Sequence, residues 1–91
     1  MKNIVQTQQF KKDLKRYRHR TDLLQDLYEA LRCLRAGESL PMRYSPHQLK
    51  GKLRGCMECH IRGDLLLIWV DEDSQTIRLL RFGTHHEILG I

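Results

Sequence analysis

No stretch of this chain holds the run of about 18 apolar residues that a membrane-crossing helix needs, so a bilayer-spanning helix is excluded. The N-terminus, Met1-Lys-Asn-Ile-Val-Gln-Thr-Gln, lacks the apolar stretch of a secretory signal, and a cytoplasmic location is the expectation. Three cysteines (Cys33, Cys56 and Cys59) cannot all pair within one chain. Without a leader, an odd count argues for reduced thiols rather than a disulfide framework. Repeats, linkers and low-complexity stretches are absent. The 91 residues suit one small domain, 1–91, with little spare material for a cofactor domain.

Positive charge is in excess and unevenly spread. The net charge is +5. Lys2, Lys11, Lys12, Lys15, Arg16, Arg18 and Arg20 face Asp13 alone in the first twenty residues, while the rest of the chain is close to neutral. A solvated helix face is the commonest reading of a charge run. Concentration on one element instead points to a surface for phosphate backbones or an acidic protein.

Asn3 to Gln6 suits a short first strand. Thr7 can cap a helix carrying Phe10, Leu14 and Tyr17 at i, i+4 and i+7. Thr21 can cap a second helix, with Asp22 in its first turn, the apolar stripe Leu24, Leu27, Leu31 and Leu34, and Gly37 as its stop. Pro41 and Pro46 mark a loop. Leu53 to Ile61 alternates, which predicts a strand with Leu53, Met57, Cys59 and Ile61 on one face and Arg54, Cys56, Glu58, His60 and Arg62 on the other. Gly63-Asp64 reads as a tight turn, Leu65 to Val70 as a central strand, Thr76 to Phe82 as a last strand, and Thr84 as the cap of a short terminal helix. The order β-α-α-β-β-β predicts an α+β fold: a four-stranded antiparallel sheet with a helical hairpin across one face and a polar set on the other.

Cys56-Met-Glu-Cys59-His60 matches the spacing that attaches c-type haem. On a strand, residues three apart point to opposite faces, so the two thiols could not reach one porphyrin edge. A zinc site from Cys56, Cys59, His60 and one of His47, His85 or His86 is also disfavoured, because it offers one Cys-x-x-Cys pair on a strand rather than two on turns. No metal or cofactor is expected.

Histidines and a carboxylate carry the stronger signal. Alternation puts His60 beside Glu58 on the polar face, four residues before Asp64, while His47 precedes the strands and His85 follows the last. If the strands bring these ends together, three imidazoles and a carboxylate converge, with Arg81 one pleat away. Cleaving RNA by its own 2′-hydroxyl needs a base, an acid for the leaving oxygen, and positive charge for the transition state. Imidazoles suit both proton roles near neutral pH. Lys50, Lys52 and Arg54 would help hold the polyanion.

Leu49-Lys-Gly51, Gly55-Cys-Met-Glu58-Cys-His60-Ile-Arg-Gly-Asp64-Leu-Leu-Leu-Ile-Trp69 and Leu80-Arg81-Phe-Gly83-Thr84-His85 together resemble the RelE superfamily of toxin–antitoxin toxins, most of all its YafQ-like branch. The resemblance extends over nearly the whole chain and implies the small RelE/ParE-like fold. It also implies a ribosome-dependent endoribonuclease that cuts translated mRNA in the ribosomal A site and is silenced by a cognate antitoxin. Carried over by position, His47 and His85 are the base–acid pair in either order. His60 and Asp64 orient or stabilise the phosphate, Arg81 supplies charge, and Glu58 can tether an imidazole. Lys11, Lys12, Lys15 and Arg16 would grip RNA, with Leu89 where that branch has an aromatic residue that could stack on a base. Promoter DNA would be reached only through the antitoxin, and no membrane is implied. Two other readings remain: a gyrase-directed toxin of the same fold, whose branch generally lacks this histidine set, and a non-catalytic basic RNA-binding module.

Overall fold

A computed structural model describes residues 1–90. The chain runs β1 (Asn3–Gln6), α1 (Gln8–Lys15), α2 (Thr21–Ala36), β2 (His47–Gln48), β3 (Met57–Arg62), β4 (Leu65–Asp73), β5 (Thr76–Thr84) and α3 (His85–Leu89). Short 3-10 turns occupy Met42–Tyr44 and Gly51–Leu53. Thr7 caps α1 by accepting the Phe10 amide, and Gly37 ends α2 at φ 72°, a conformation that costs glycine nothing. Thr21 is the first residue of α2 rather than its cap, a position held by Arg20 without a side-chain bond.

The sheet departs from the four antiparallel strands expected. Among the described residues it has five, in the order β1-β5-β4-β3-β2, and it is mixed, since β1 lies parallel to β5. A four-residue strand carries no mark of its partner's direction, and a two-residue strand such as β2 is too short to show a period. The strand expected from Leu53 begins at Met57, because Gly51 and Gly55, at φ 71° and 97°, fold the preceding segment into turns. A bulge between His60 and Arg62 also reverses one expectation. The extra residue turns Arg62 off the open face, and its guanidinium meets Asp22 at 2.8 Å and Asp26 at 2.7 Å on α2.

Both helices pack on one face. Phe10, Leu23, Leu27, Ala30 and Leu34 meet Cys59, Ile61, Leu65, Leu67, Trp69, Ile77, Leu79 and Phe82 in one core. The alternate positions of β4, Leu66 and Ile68, are just as buried on the opposite face. The Lys50–Leu53 segment and α3 overhang part of that face. Between them lies a cleft of about 680 Å³ lined by Leu49, Leu53, Ile68, Leu80 and Ile88, with Lys50, Lys52, Arg81 and Leu89 also in its wall. β4 is therefore covered on both sides, as its unbroken apolar run predicts.

Where β1 stops, α1 takes over the edge of β5. The β1 pairing ends at Leu79, and the fully buried Asp13 carboxylate then accepts the Phe82 amide at 3.0 Å. It also receives Arg81 Nε at 2.8 Å, Arg81 Nη2 at 3.3 Å and Gln9 Nε2 at 3.0 Å. Burial pushes this carboxyl up, but the Arg81 guanidinium, the Phe82 amide and Gln9 outweigh it and hold Asp13 below the usual carboxylate range. Removing one partner of such a buried pair strands the other. Asp13→Ala should cost about 3–5 kcal/mol in urea denaturation, a large share of the roughly 5–15 kcal/mol of a whole domain. Asp13→Leu with Arg81→Met should restore part of the loss, leaving the Phe82 amide without an acceptor. An unchanged midpoint for Asp13→Ala would show the pair to be dispensable.

Candidate active site

Three imidazoles line up along one end of the sheet, each delivered by a different element. His47 arrives on β2, whose register places it opposite Glu58 of β3. The loop before it is pinned by the buried Tyr44, whose hydroxyl lies 3.1 Å from Glu29 Oε2 and 3.3 Å from the Asp26 carbonyl on α2. Ser45 follows at φ 48°, the only described non-glycine residue with positive φ, and its carbonyl meets His47 Nδ1 at 2.8 Å. His60 stands two residues after Glu58 on β3, with Nδ1 at 3.0 Å from the Gly63 carbonyl in the turn to β4. His85 opens α3, and its Nδ1 is hydrogen-bonded to Asp64. The ring centroids of His47 and His60, and those of His60 and His85, are 6.2 Å apart.

In all three rings Nδ1 faces an oxygen that can only accept. The neutral His85 ring therefore carries its proton on Nδ1 and presents Nε2 for proton exchange, whereas Nε2 of His47 and of His60 faces a second acceptor. His47 Nε2 lies 3.4 Å and His60 Nε2 4.0 Å from the same oxygen of Glu58, whose side chain is almost wholly buried. A single carboxylate thus serves two imidazoles. The hydrogen bond from His85, against a smaller opposing effect of desolvation, holds the exposed Asp64 below the usual carboxylate range. Asp64 stays ionised at neutral pH and orients the His85 ring.

α3 is built to present His85. Thr84 caps it by accepting the Glu87 amide at 3.1 Å, and the Glu87 carboxylate accepts the Thr84 amide at 2.9 Å. Gly83 is required by close approach: a Cβ there would stand 2.8 Å from Glu87 Oε1. The Gly83-Thr84-His85 motif is thus a tight strand-to-helix junction with an imidazole at its first helical residue.

Arg81, expected to supply charge to the phosphate, is instead matched by the buried Asp13, with Nη1 at 3.5 Å from the Ile88 carbonyl. Lys50 and Lys52 are exposed beside the cleft, as is Leu89, and Arg54 is exposed just beyond the Gly51–Leu53 turn. Lys11, Lys12, Lys15 and Arg16 stand exposed on and just after α1. Asp13 was overlooked in the sequence, although it falls among Phe10, Leu14 and Tyr17 on the apolar stripe, where an acid is a signal of a buried ion pair. The cleft was overlooked too, since nothing local to Leu49 or Ile88 ties them to Ile68.

Cys59 lies fully buried in the helix-facing core, whereas His60 faces the imidazole row. Burial, reinforced by nearby Glu58, pushes the Cys59 thiol up to about 12. Thiol titration of the folded chain should therefore react Cys33 and Cys56, both partly exposed, and reach Cys59 only after denaturation. Three fast thiols in the native chain would contradict this placement.

Comparison with known proteins places the chain's fold and family. A family model described as the bacterial toxin of type II toxin–antitoxin systems, YafQ, matches residues 2–90. A Haemophilus influenzae protein assigned as a YafQ toxin is 33% identical over 61 residues, which span 64% of this chain and 60% of that protein's length. The crystal structure of a metal-bound toxin from Helicobacter pylori superposes with a TM-score of 0.86 at 35% identity, covering 97% of this chain and 99% of that one. Among the described residues here, no three His, Cys, Asp or Glu side chains are arranged to hold a metal ion. YafQ in the Escherichia coli DinJ–YafQ complex superposes with a TM-score of 0.85 at 27% identity, covering 99% of this chain and all of that one. Matched by the family model from residue 2 to residue 90, the chain belongs to the YafQ family of bacterial type II toxin–antitoxin toxins.

Proposed function

We propose that this YafQ-family toxin is an endoribonuclease that cuts translated mRNA in the ribosomal A site, stopping protein synthesis from within the cytoplasm. The observation that supports it most is the row of three imidazoles, each held at Nδ1 by an acceptor, with Glu58 shared by the Nε2 atoms of two of them. One end imidazole, His47 or His85, takes the proton of the 2′-hydroxyl as its oxygen bonds to phosphorus. The other, protonated, gives its proton to the 5′-oxygen as the P–O5′ bond breaks. The products are a 2′,3′-cyclic phosphate and a 5′-hydroxyl. His60 lies between them, where with Glu58 it orients His47 and faces the charge on the phosphorane-like transition state. This route needs no metal ion.

Positive charge for the phosphate comes from Lys50, Lys52 and Arg54, since Arg81 is neutralised by Asp13 and acts through the shape of the cleft. Leu89 offers the substrate an apolar contact in place of a stacking ring. Lys11, Lys12, Lys15 and Arg16 hold ribosomal RNA. A cognate antitoxin silences the toxin. That partner is supported by the family's own description and by the Escherichia coli relative, which was solved in complex with DinJ.

Primer extension on mRNA in a translating extract tests the reading. The wild-type chain should give codon-phased cuts that need ribosomes. His47→Ala and His85→Ala should each lower cleavage by about 10²-fold or more, in keeping with loss of a general acid or base. Growth arrest without cuts would move the function to a gyrase poison or a binding module. Full cleavage by either variant would remove that histidine from the chemistry.

A further inference from the structure

We propose that Tyr17 is a positioning residue for His85, acting through Glu87 from the far side of α3; its effect on cleavage rests on the nuclease reading above, its effect on His85 does not. Tyr17 follows α1 in the turn towards α2, and its hydroxyl donates a short hydrogen bond to Glu87 Oε1. The same oxygen accepts the Thr84 amide at 2.9 Å, and Arg16 stands 3.6 Å from the other. Thr84 is the residue immediately before His85. A carboxylate held only by its own helix would remain free to swing with that helix, which has five residues. A donor from the turn after α1 fixes it to the body of the protein.

Three observations converge on that arrangement. The Tyr17 ring packs edge-on against Phe82, with centroids 5.2 Å apart, so the hydroxyl is aimed by a ring that is itself held. Gly83 leaves room for the carboxylate where a Cβ would stand 2.8 Å from its oxygen. Burial, together with Glu87, pushes the Tyr17 hydroxyl up to about 12, so it remains a donor throughout the physiological range.

α3 is too short to hold its own orientation by helix propensity, since isolated helices under about 12 residues are marginal in water. The direction of the His85 ring therefore depends on Asp64 in front and on the Tyr17–Glu87 tie behind. Arg16 shares Glu87 with Tyr17, so the exposed basic end of α1 and the end imidazole meet at one carboxylate. A polyanion that draws Arg16 away would leave Tyr17 holding Glu87 from the turn after α1.

Tyr17→Phe removes the hydroxyl and keeps the ring on Phe82. Gly83→Ala drives the Glu87 carboxylate off Thr84 and Tyr17 by crowding. Long-range proton–nitrogen NMR of the histidine rings reads the outcome without any activity. In the wild type, His85 should sit in one tautomer with the proton on Nδ1. Both variants should show a mixture of tautomers at His85 while His47 is unchanged. Tyr28→Phe, at an exposed tyrosine of α2, serves as the control and should leave His85 as in the wild type.

In the translating extract, Tyr17→Phe should slow cleavage by between about 10- and 100-fold, the scale of a small misplacement of a reacting group. A His85 signal identical to the wild type in both variants would overturn the inference, whatever the extract shows. A wild-type chain that cuts no mRNA would overturn the nuclease reading and leave the NMR result to decide the role of Tyr17.

Discussion

The buried carboxylate of Asp13 is the constraint on which the rest of the structure depends. β1 pairs with only the first part of β5, so the remaining edge needs another partner for its backbone donors. Asp13 supplies one to Phe82 and at the same time neutralises Arg81, whose guanidinium reaches the Ile88 carbonyl of α3. One side chain therefore links helix, sheet edge and terminal helix. With α1 fixed in this way, Tyr17 comes within reach of Glu87, and the junction that carries His85 is held from behind. The arrangement also explains why a helix crowded with lysine carries a single acid: that acid faces inward.

The imidazole row is governed by a different principle, the control of tautomers by acceptors. Two of the three rings are held by backbone carbonyls, from Ser45 and Gly63, and the third by Asp64. Carbonyls fix direction without adding charge, so His47 and His60 keep a shared carboxylate, Glu58, on the opposite nitrogen. Asp64 and Glu58 thus do separate work. One orients an end imidazole through Nδ1; the other sits between two rings on the Nε2 side. An acid–base pair needs its two ends to differ, and this difference in surroundings supplies that asymmetry.

Much of this could be read in the sequence where a feature is local. The Thr7 and Thr84 caps, the Gly37 stop and the central β4 each announce themselves within a few residues, and the structure contains them. The α2 stripe, however, is turned from the one expected: Leu23 and Ala30 join Leu27 and Leu34 in the core, and Leu24 and Leu31 only flank it. Features that depend on register were hidden. Alternation from Leu53 concealed the turns at Gly51 and Gly55, and one extra residue at Ile61 sent Arg62 to α2. The parallel pairing of β1 leaves no local trace. For the site, the ordered histidines and Asp64 were visible as residues, but their convergence depends on the β2–β3 pairing and on α3, which the sequence alone does not fix. Arg81 illustrates the converse: its charge was legible, but its partner lay in a distant helix.

The chemistry of the cut ends tests the central claim most directly. Fragments produced by the wild-type chain in a translating extract should carry a 2′,3′-cyclic phosphate upstream and a 5′-hydroxyl downstream. A 2′-deoxy substitution at the scissile nucleotide should abolish that cut. Fragments with a 5′-phosphate, or cleavage that persists at the deoxy position, would contradict proton transfer by the imidazole row as the means of catalysis.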